Sequence, residues 1–282
     1  MNRRMTEAEA TEKEMYMQFL EEDCRIDINK KLEYPPVAIS LGERVIRKRD
    51  GDMLVPVPIG TFGNISVISA PPKTKKTFFV SLLGSVFMSG SNKCGGDLKG
   101  HRGNGNLIHF DTEQGEWHCQ NIFKRIVEMD SSIDKSKYHT YSLRTLNNND
   151  KLDFIEHYLK TKIKEPSLVI IDGITDLVKS INNEEDCVEV VQKLMRISTK
   201  YKCHILTVIH SNFGSDKMTG HLGSYLAKKV ETQIELEKNP VNKDWITVKC
   251  KNSRGFEFPS FSFEVNNYGM PTVVRDLYDP LK

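Results

Sequence analysis

The run Ser69-Ala70-Pro71-Pro72-Lys73-Thr74-Lys75-Lys76-Thr77-Phe78 carries the residue types needed to hold phosphate. An apolar stretch, Ile65-Ser66-Val67-Ile68, precedes it, and a helical pattern over 76–88 follows. A turn that opens a helix gathers free N–H groups and the positive end of the helix dipole, and so favours an anion. In a phosphate loop of this kind a lysine reaches the outer phosphates and the next hydroxyl binds magnesium. Lys76 and Thr77 stand at those two positions. The glycines that usually frame the loop are replaced by Ala70 and Lys75. Glycine at the second position permits a close backbone approach that a Cβ obstructs. By spacing alone, a basic turn ahead of a buried helix competes with the phosphate reading.

Two carboxylates shift that balance. Leu168-Val169-Ile170-Ile171-Asp172 is an apolar run ending in aspartate, the arrangement that holds magnesium through water opposite a phosphate loop. Leu107-Ile108-His109-Phe110-Asp111-Thr112-Glu113 sets Glu113 just past another apolar run, where a general base orients an attacking water. Either alone also reads as a cap on a strand or on the helix that follows. Together with the lysine loop they put three signals at the C-terminal ends of strands, where open α/β sheets bind ligands.

The elements that must position these residues follow a strand–loop–helix rhythm from Gly63. Apolar strand candidates at 65–68, 107–110, 168–171 and 205–209 alternate with helical patterns at 76–88, 116–129, 151–164 and 185–200. Short apolar strands between amphipathic helices predict a parallel sheet covered on both faces. After His210 the segments 230–237, 245–250 and 260–265 alternate as antiparallel strands do, with Asn239-Pro240 as a turn. Upstream, Thr6 and Glu9 form a capping box for a helix to about Asp23 with an apolar stripe of Tyr16, Phe19 and Leu20. The stretch 30–58 reads as an extended arm or small hairpin with a turn at Asp50-Gly51-Asp52. The expected organisation is therefore a helix and arm at 1–57 and one α/β domain at 58–282.

The 282 residues carry 40 basic and 38 acidic side chains, a net charge of +2, which excludes a globally polycationic nucleic-acid coat but allows a local basic patch. One such place is the glycine-rich stretch 91–105, read as an exposed loop with Lys93, Lys99, His101 and Arg102. Six scattered cysteines without a C-x-x-C pair predict reduced thiols and no zinc site. The start Met1-Asn2-Arg3-Arg4 leads into acidic residues, not an apolar segment, and no apolar run is long enough to span a bilayer. A soluble, cytoplasmic protein is expected.

The phosphate loop, Asp111-Thr112-Glu113, Ile171-Asp172-Gly173-Ile174-Thr175-Asp176-Leu177 and the strand ending at His210 occur in the order of RecA/DnaB-type ATPases. Within these the chain resembles RepA-like helicase ATPases of bacterial mobile genetic elements, some of which carry a similar lysine-rich loop. The resemblance spans roughly 58–274. It implies a RecA-like P-loop core extended by C-terminal antiparallel strands, with ATP and Mg2+ as cofactors, and a homo-oligomer, a ring or a filament with a ring-shaped hexamer favoured, whose sites lie between subunits. By position, residues 70–78 would hold the nucleotide, Lys76 and Glu113 would act in catalysis, and Thr77 and Asp172 would hold the metal. The resemblance makes His210 a γ-phosphate sensor, though a histidine satisfied by nearby backbone is an equal reading. Arg254, then Lys251, in Lys249-Cys250-Lys251-Asn252-Ser253-Arg254-Gly255 would reach a neighbour's γ-phosphate, or be solvated turn charges.

The same resemblance puts single-stranded DNA at the loops after the third and fourth core strands. The first, 180–186, is acidic (Glu184, Glu185, Asp186) and would repel it. The second, 211–222, offers Lys217 and His221, with Lys228 and Lys229 beyond and Phe213 as a stacking ring. Three functions are thus in competition. The first is a DNA-dependent helicase or translocase in replication or mobilisation of an element. The second is a weakly hydrolysing ATP-binding assembly or loader protein. The third, a small-molecule kinase, is disfavoured because no arginine-rich lid segment follows the core.

Overall fold

The computed structural model describes residues 6–48, 51–212 and 217–274. Met1, Asn2, Arg3, Arg4, Asp50 and Phe213 lie outside the described residues. The chain divides into two units, Met1–Tyr34 and Pro35–Lys282. The first contains α1 (Glu7–Cys24), whose N-terminus is closed by the reciprocal Thr6–Glu9 capping box. Its expected apolar stripe is not a buried face, since Tyr16 and Phe19 are exposed.

The second unit opens with β1 (Val37–Lys48) and β2 (Gly51–Thr61), then alternates through β3 (Ile65–Ala70), α2 (Lys76–Ser89), β4 (Leu98–Gly100), β5 (Asn106–Asp111), α3 (Glu116–Glu128), β6 (Tyr138–Ser142), α4 (Asn148–Thr161), β7 (Pro166–Asp172), α5 (Glu184–Tyr201), β8 (His204–His210) and α6 (Gly220–Lys229). It ends with β9 (Thr232–Lys238), β10 (Ile246–Ser253), β11 (Phe261–Val265) and β12 (Pro271–Val274). The main sheet has nine strands in the order β12-β11-β10-β9-β3-β8-β7-β5-β6. Strands β6, β5, β7, β8, β3 and β9 run parallel to one another. The antiparallel part begins one strand later than the sequence predicts: β9 runs parallel to β3, and only β10, β11 and β12 alternate in direction.

The near-continuous apolar character of the central strands has a direct cause. Successive side chains point to opposite faces, and both faces are covered. Ile68, Leu168, Ile170, Leu206 and Val208 pack with Phe79, Leu83 and Phe87 of α2 and Ile126 of α3. Val67, Val169, Ile171, Ile205 and Ile209 pack with α4, α5 and α6 through Ile155, Leu159, Val191, Leu194, Leu222 and Leu226. The β1–β2 hairpin is the expected short hairpin, but it forms a separate three-stranded sheet with β4.

That third strand corrects the reading of 91–105 as a loop throughout, although Lys93, Lys99 and His101 are exposed as expected. Leu98 is fully buried, Lys99 pairs with Glu43 at 3.2 Å, His101 Nε2 meets Ser40 Oγ at 2.9 Å, and Arg102 donates to the Gly105 carbonyl at 2.8 Å. The acids Glu184, Glu185 and Asp186 lie in the first turn of α5, capped by Asn183, where the helix dipole favours negative charge. All six cysteines are free, and among the described residues no helix is long and apolar enough to cross a membrane.

Candidate nucleotide site

Strand β3 delivers the chain to the centre of the sheet's C-terminal edge, and α2 carries it away. Between them lies the turn 71–75, braced by a hydrogen bond from Thr74 Oγ1 to the Pro71 carbonyl at 2.8 Å. Two non-glycine residues in this turn are left-handed, Lys73 at φ 63° and Lys75 at φ 53°. Such a conformation costs an L-residue roughly 1 kcal/mol each. Lys75 therefore adopts the backbone that the missing glycine would supply, and its carbonyl accepts the N–H groups of Phe78 and Phe79 to start α2. Ala70, fully buried, closes β3, while Pro71 and Pro72 are exposed on the approach to the turn.

Lys76 turns inward. Its ammonium donates to the Pro71 carbonyl at 3.2 Å and meets His210 Nδ1, at the end of β8, at 3.0 Å. An ammonium only donates, so Nδ1 accepts and the neutral ring carries its proton on Nε2. That nitrogen lies 3.9 Å from Glu113 Oε1. Burial pulls the Lys76 pKa down, against the opposing pull of Asp172 and Glu113. His210 is lowered too, by burial and then by Lys76.

The carboxylates come from adjacent strands, with Asp111 of β5 opposite Asp172 of β7. Asp111 Oδ1 accepts the backbone N–H of Glu113 at 3.0 Å and of Gln114 at 2.7 Å, a turn that aims Glu113 back over the sheet edge. Thr112 Oγ1 accepts the Gly173 N–H at 2.9 Å and lies 2.9 Å from Asp176 Oδ2, tying the two loops together. Burial raises the Glu113 pKa, followed by Asp176 and Asp111. Asp172 is pushed up to about 7, first by burial and then by Asp111 and Glu113, with the Thr77 hydroxyl and Lys76 pulling it back. Its Oδ2 is buried without a hydrogen-bond partner. A buried carboxylate oxygen beside a hydroxyl, with no protein donor, suits a hard divalent cation with oxygen ligands.

A cavity of about 250 Å³ joins these parts, lined by Lys73, Thr74, Lys75, Lys76, Thr77, Phe78, Glu113, Gln114, Asp172, Val208, Ile209 and His210. The structure thus brings together the lysine loop, Glu113, Asp172 and His210. Sequence reasoning missed Asp111 as the residue that shapes the turn and Thr112 as the clamp. An aspartate two residues before a functional one is the signal of an Asx turn and was there to be read.

Arg254 and Lys251 are not part of this cavity. Arg254 N bonds the Glu231 carbonyl, and Glu231 N bonds the Ile65 carbonyl, so Arg254 sits level with the start of β3 while the lysine loop follows its end. Its guanidinium donates to the Lys229 carbonyl at 2.8 Å, closing the last turn of α6. Lys251 pairs with Glu235 across the strands at 3.4 Å, and Lys249 pairs with Glu237. The four basic DNA candidates divide as well. Lys217 and His221 lie at the N-terminal end of α6, and Lys228 and Lys229 at its C-terminal end.

A lysine phosphate loop after the central strand of a parallel sheet, flanked by strand-end carboxylates and completed by antiparallel strands, defines a RecA/DnaB-type P-loop ATPase. The chain belongs to the AAA domain family, whose match covers residues 57–216, more than half of its length. No curated protein sequence matches it. Among solved structures it is similar to the RadB recombinase, at 15% identity and a TM-score of 0.52, over 74% of this chain and 90% of that one. It is also similar to the ATPase domain of the protein G-40-P, at 12% identity and a TM-score of 0.55, over 75% of this chain and 85% of that one. At these identities the likeness speaks for the fold alone.

Proposed function

We propose that this chain is an ATP-hydrolysing motor that depends on single-stranded DNA, a helicase or translocase serving replication or mobilisation of a mobile element. The observation that carries the reading is the Lys76–His210–Glu113 contact chain in a cavity also lined by Thr77 and Asp172. Lys76 leaves the Pro71 carbonyl and His210 for the β- and γ-phosphates of ATP, since a multiply charged phosphate outcompetes a carbonyl and a neutral imidazole. Glu113, raised in pKa and aimed by Asp111, orients the attacking water and takes up its proton. Thr77 and Asp172 hold Mg2+, which supplies charge neutralisation at the phosphates. Residues 70–78 wrap the phosphates.

His210, once released, passes the state of the site to the segment that follows. Its carbonyl accepts the Thr219 N–H at 3.1 Å and the Thr219 hydroxyl at 2.8 Å, so the residues that carry Lys217 and His221 are fastened to it. This supports DNA contact through 211–222, with Lys228 and Lys229 as outlying contacts. Arg254, or in second place Lys251, enters the site of the next subunit in a ring, with a hexamer favoured. A cytoplasmic location goes with this reading. Lys75 in place of glycine favours a second one, a weakly hydrolysing ATP-binding loader acting through partners.

The test is ATP turnover with and without single-stranded DNA, beside nucleotide titration of Lys76→Ala. Stimulation by DNA and loss of binding in a folded Lys76→Ala protein are expected. Unchanged affinity in that variant refutes the phosphate site, and turnover indifferent to DNA favours the loader.

A further inference from the structure

Three lysines, Lys73, Lys75 and Lys76, share the loop that wraps the phosphates, and the proposed chemistry gives a phosphate contact to the side chain of the last alone. Lys76 is half-buried among neutral acceptors and two carboxylates. Lys75 is placed differently. Its left-handed backbone, φ 53° and ψ 31°, is the one for which glycine is the unstrained choice, yet a long cationic side chain stands there. It lines the same cavity. Its ammonium rests on the main-chain carbonyl of Asp244, 3.0 Å away, in the turn between β9 and β10. Among the described residues no carboxylate forms an ion pair with it. A cation held by one exposed neutral carbonyl, at the mouth of a phosphate cavity, loses little by leaving that carbonyl for an anion.

The charges of the cavity point the same way. Lys73, Lys75 and Lys76 set three positive charges against Glu113 and Asp172. With Mg2+ added the excess grows, and the species that best neutralises it is a nucleotide carrying its full triphosphate. A terminal phosphate gives Lys75 a charged acceptor, whereas a diphosphate brings one phosphate fewer to the same place.

We infer that Lys75 is a second phosphate-binding lysine, which leaves the Asp244 carbonyl to contact the terminal phosphate of the triphosphate bound in its own chain, and so makes the site prefer ATP to ADP. This deepens the ATPase reading and rests on it. The replaced glycine is then a gain of a cation at the cost of backbone strain, and not a decayed loop. It also frees the β9–β10 turn from the phosphate loop whenever a triphosphate is bound.

The experiment is titration of the full chain with Mg-ADP and with a non-hydrolysable Mg-ATP analogue, for the parent and for Lys75→Met, Lys75→Arg and Lys75→Gly. Methionine keeps most of the stem and removes the charge. A lost charge-assisted contact to phosphate should weaken analogue binding about tenfold or more, while ADP affinity stays within about twofold. Arginine should retain the preference. Glycine relieves the strained backbone, so it should keep or tighten ADP binding and still lose the preference. Equal weakening of both nucleotides by Lys75→Met, or an unchanged ratio, overturns the inference and leaves the ATPase reading intact. A parent protein that binds neither nucleotide overturns both. A merely structural role for Lys75 would move the two affinities together, so the ratio is the decisive readout.

Discussion

Mixing two inactive variants tests most sharply whether the active site is shared. Arg254 lies level with Ile65, and the lysine loop begins after Ala70, five residues further along β3. At about 3.3 Å per residue the two are roughly 16 Å apart along the strand. Two strand spacings of about 4.8 Å each add to the separation across the sheet. That is beyond the reach of an arginine side chain, so Arg254 cannot serve its own phosphates. Within its own chain it closes α6 through one exposed hydrogen bond to the Lys229 carbonyl. Losing that bond should cost about 1 kcal/mol of stability at most. An arginine donated to a neighbour's transferring phosphate is worth about 10³-fold or more in rate. Arg254→Ala should therefore fold normally and lose about three orders of magnitude in kcat. In a head-to-tail ring, each site takes its loop from one subunit and its finger from the next. When Arg254→Ala and Lys76→Ala are mixed in equal amounts and reassembled, a site works if its loop comes from the first variant and its finger from the second. With random mixing that is about a quarter of all sites, whatever the ring size. ATPase activity should thus recover to about a quarter of the parent's if sites fire independently, and to less if they are coupled. A mixture no more active than the sum of its parts, from proteins shown to co-assemble by sedimentation, refutes the shared site.

Two further expectations concern single residues. Glu113→Gln should lower kcat by about 10²-fold or more with ATP affinity nearly unchanged, because water orientation matters in the transition state; turnover at the parent rate would pass the role to Asp176, 2.9 Å from Thr112 Oγ1. His109 is fully buried between Phe123 and Tyr138, and burial holds its pKa down to about 3 from 6.5. Between those values the unfolded chain binds a proton that the folded chain refuses, so this contribution is complete above the ordinary histidine range and is lost as pH falls. At about 1.4 kcal/mol per pH unit, going from pH 7.5 to pH 5 should remove about 2 kcal/mol through this residue. Denaturant titrations of the parent and His109→Gln at the two pH values should differ by that amount in their pH dependence; equal losses would mean that His109 charges inside the fold.

The sequence by itself determined the class of the fold, and it pointed to the parts of the candidate site that depend on chain order. The apolar runs at β3, β5, β7 and β8 are legible because a strand buried on both faces must be apolar throughout. Asp172 is legible because it ends such a strand, and Glu113, Lys76 and Thr77 because they lie just beyond one, across the loop that follows it; parallel strands all deliver their ends to one edge. β6 was not legible: Tyr-His-Thr-Tyr-Ser is half-buried at the sheet edge and carries no apolar run. Only the tertiary structure decided the contacts between residues far apart in sequence. The meeting of Lys76 with His210, the opposition of Asp111 and Asp172, and the resting place of Lys75 on Asp244 all depend on strand order and register. The same is true of what it separated. Arg254 follows β10 in sequence as closely as Asp172 ends β7, yet β10 runs the other way, so its end points away from the lysine loop. Strand direction is set by long-range pairing, and no local pattern of residues encodes it.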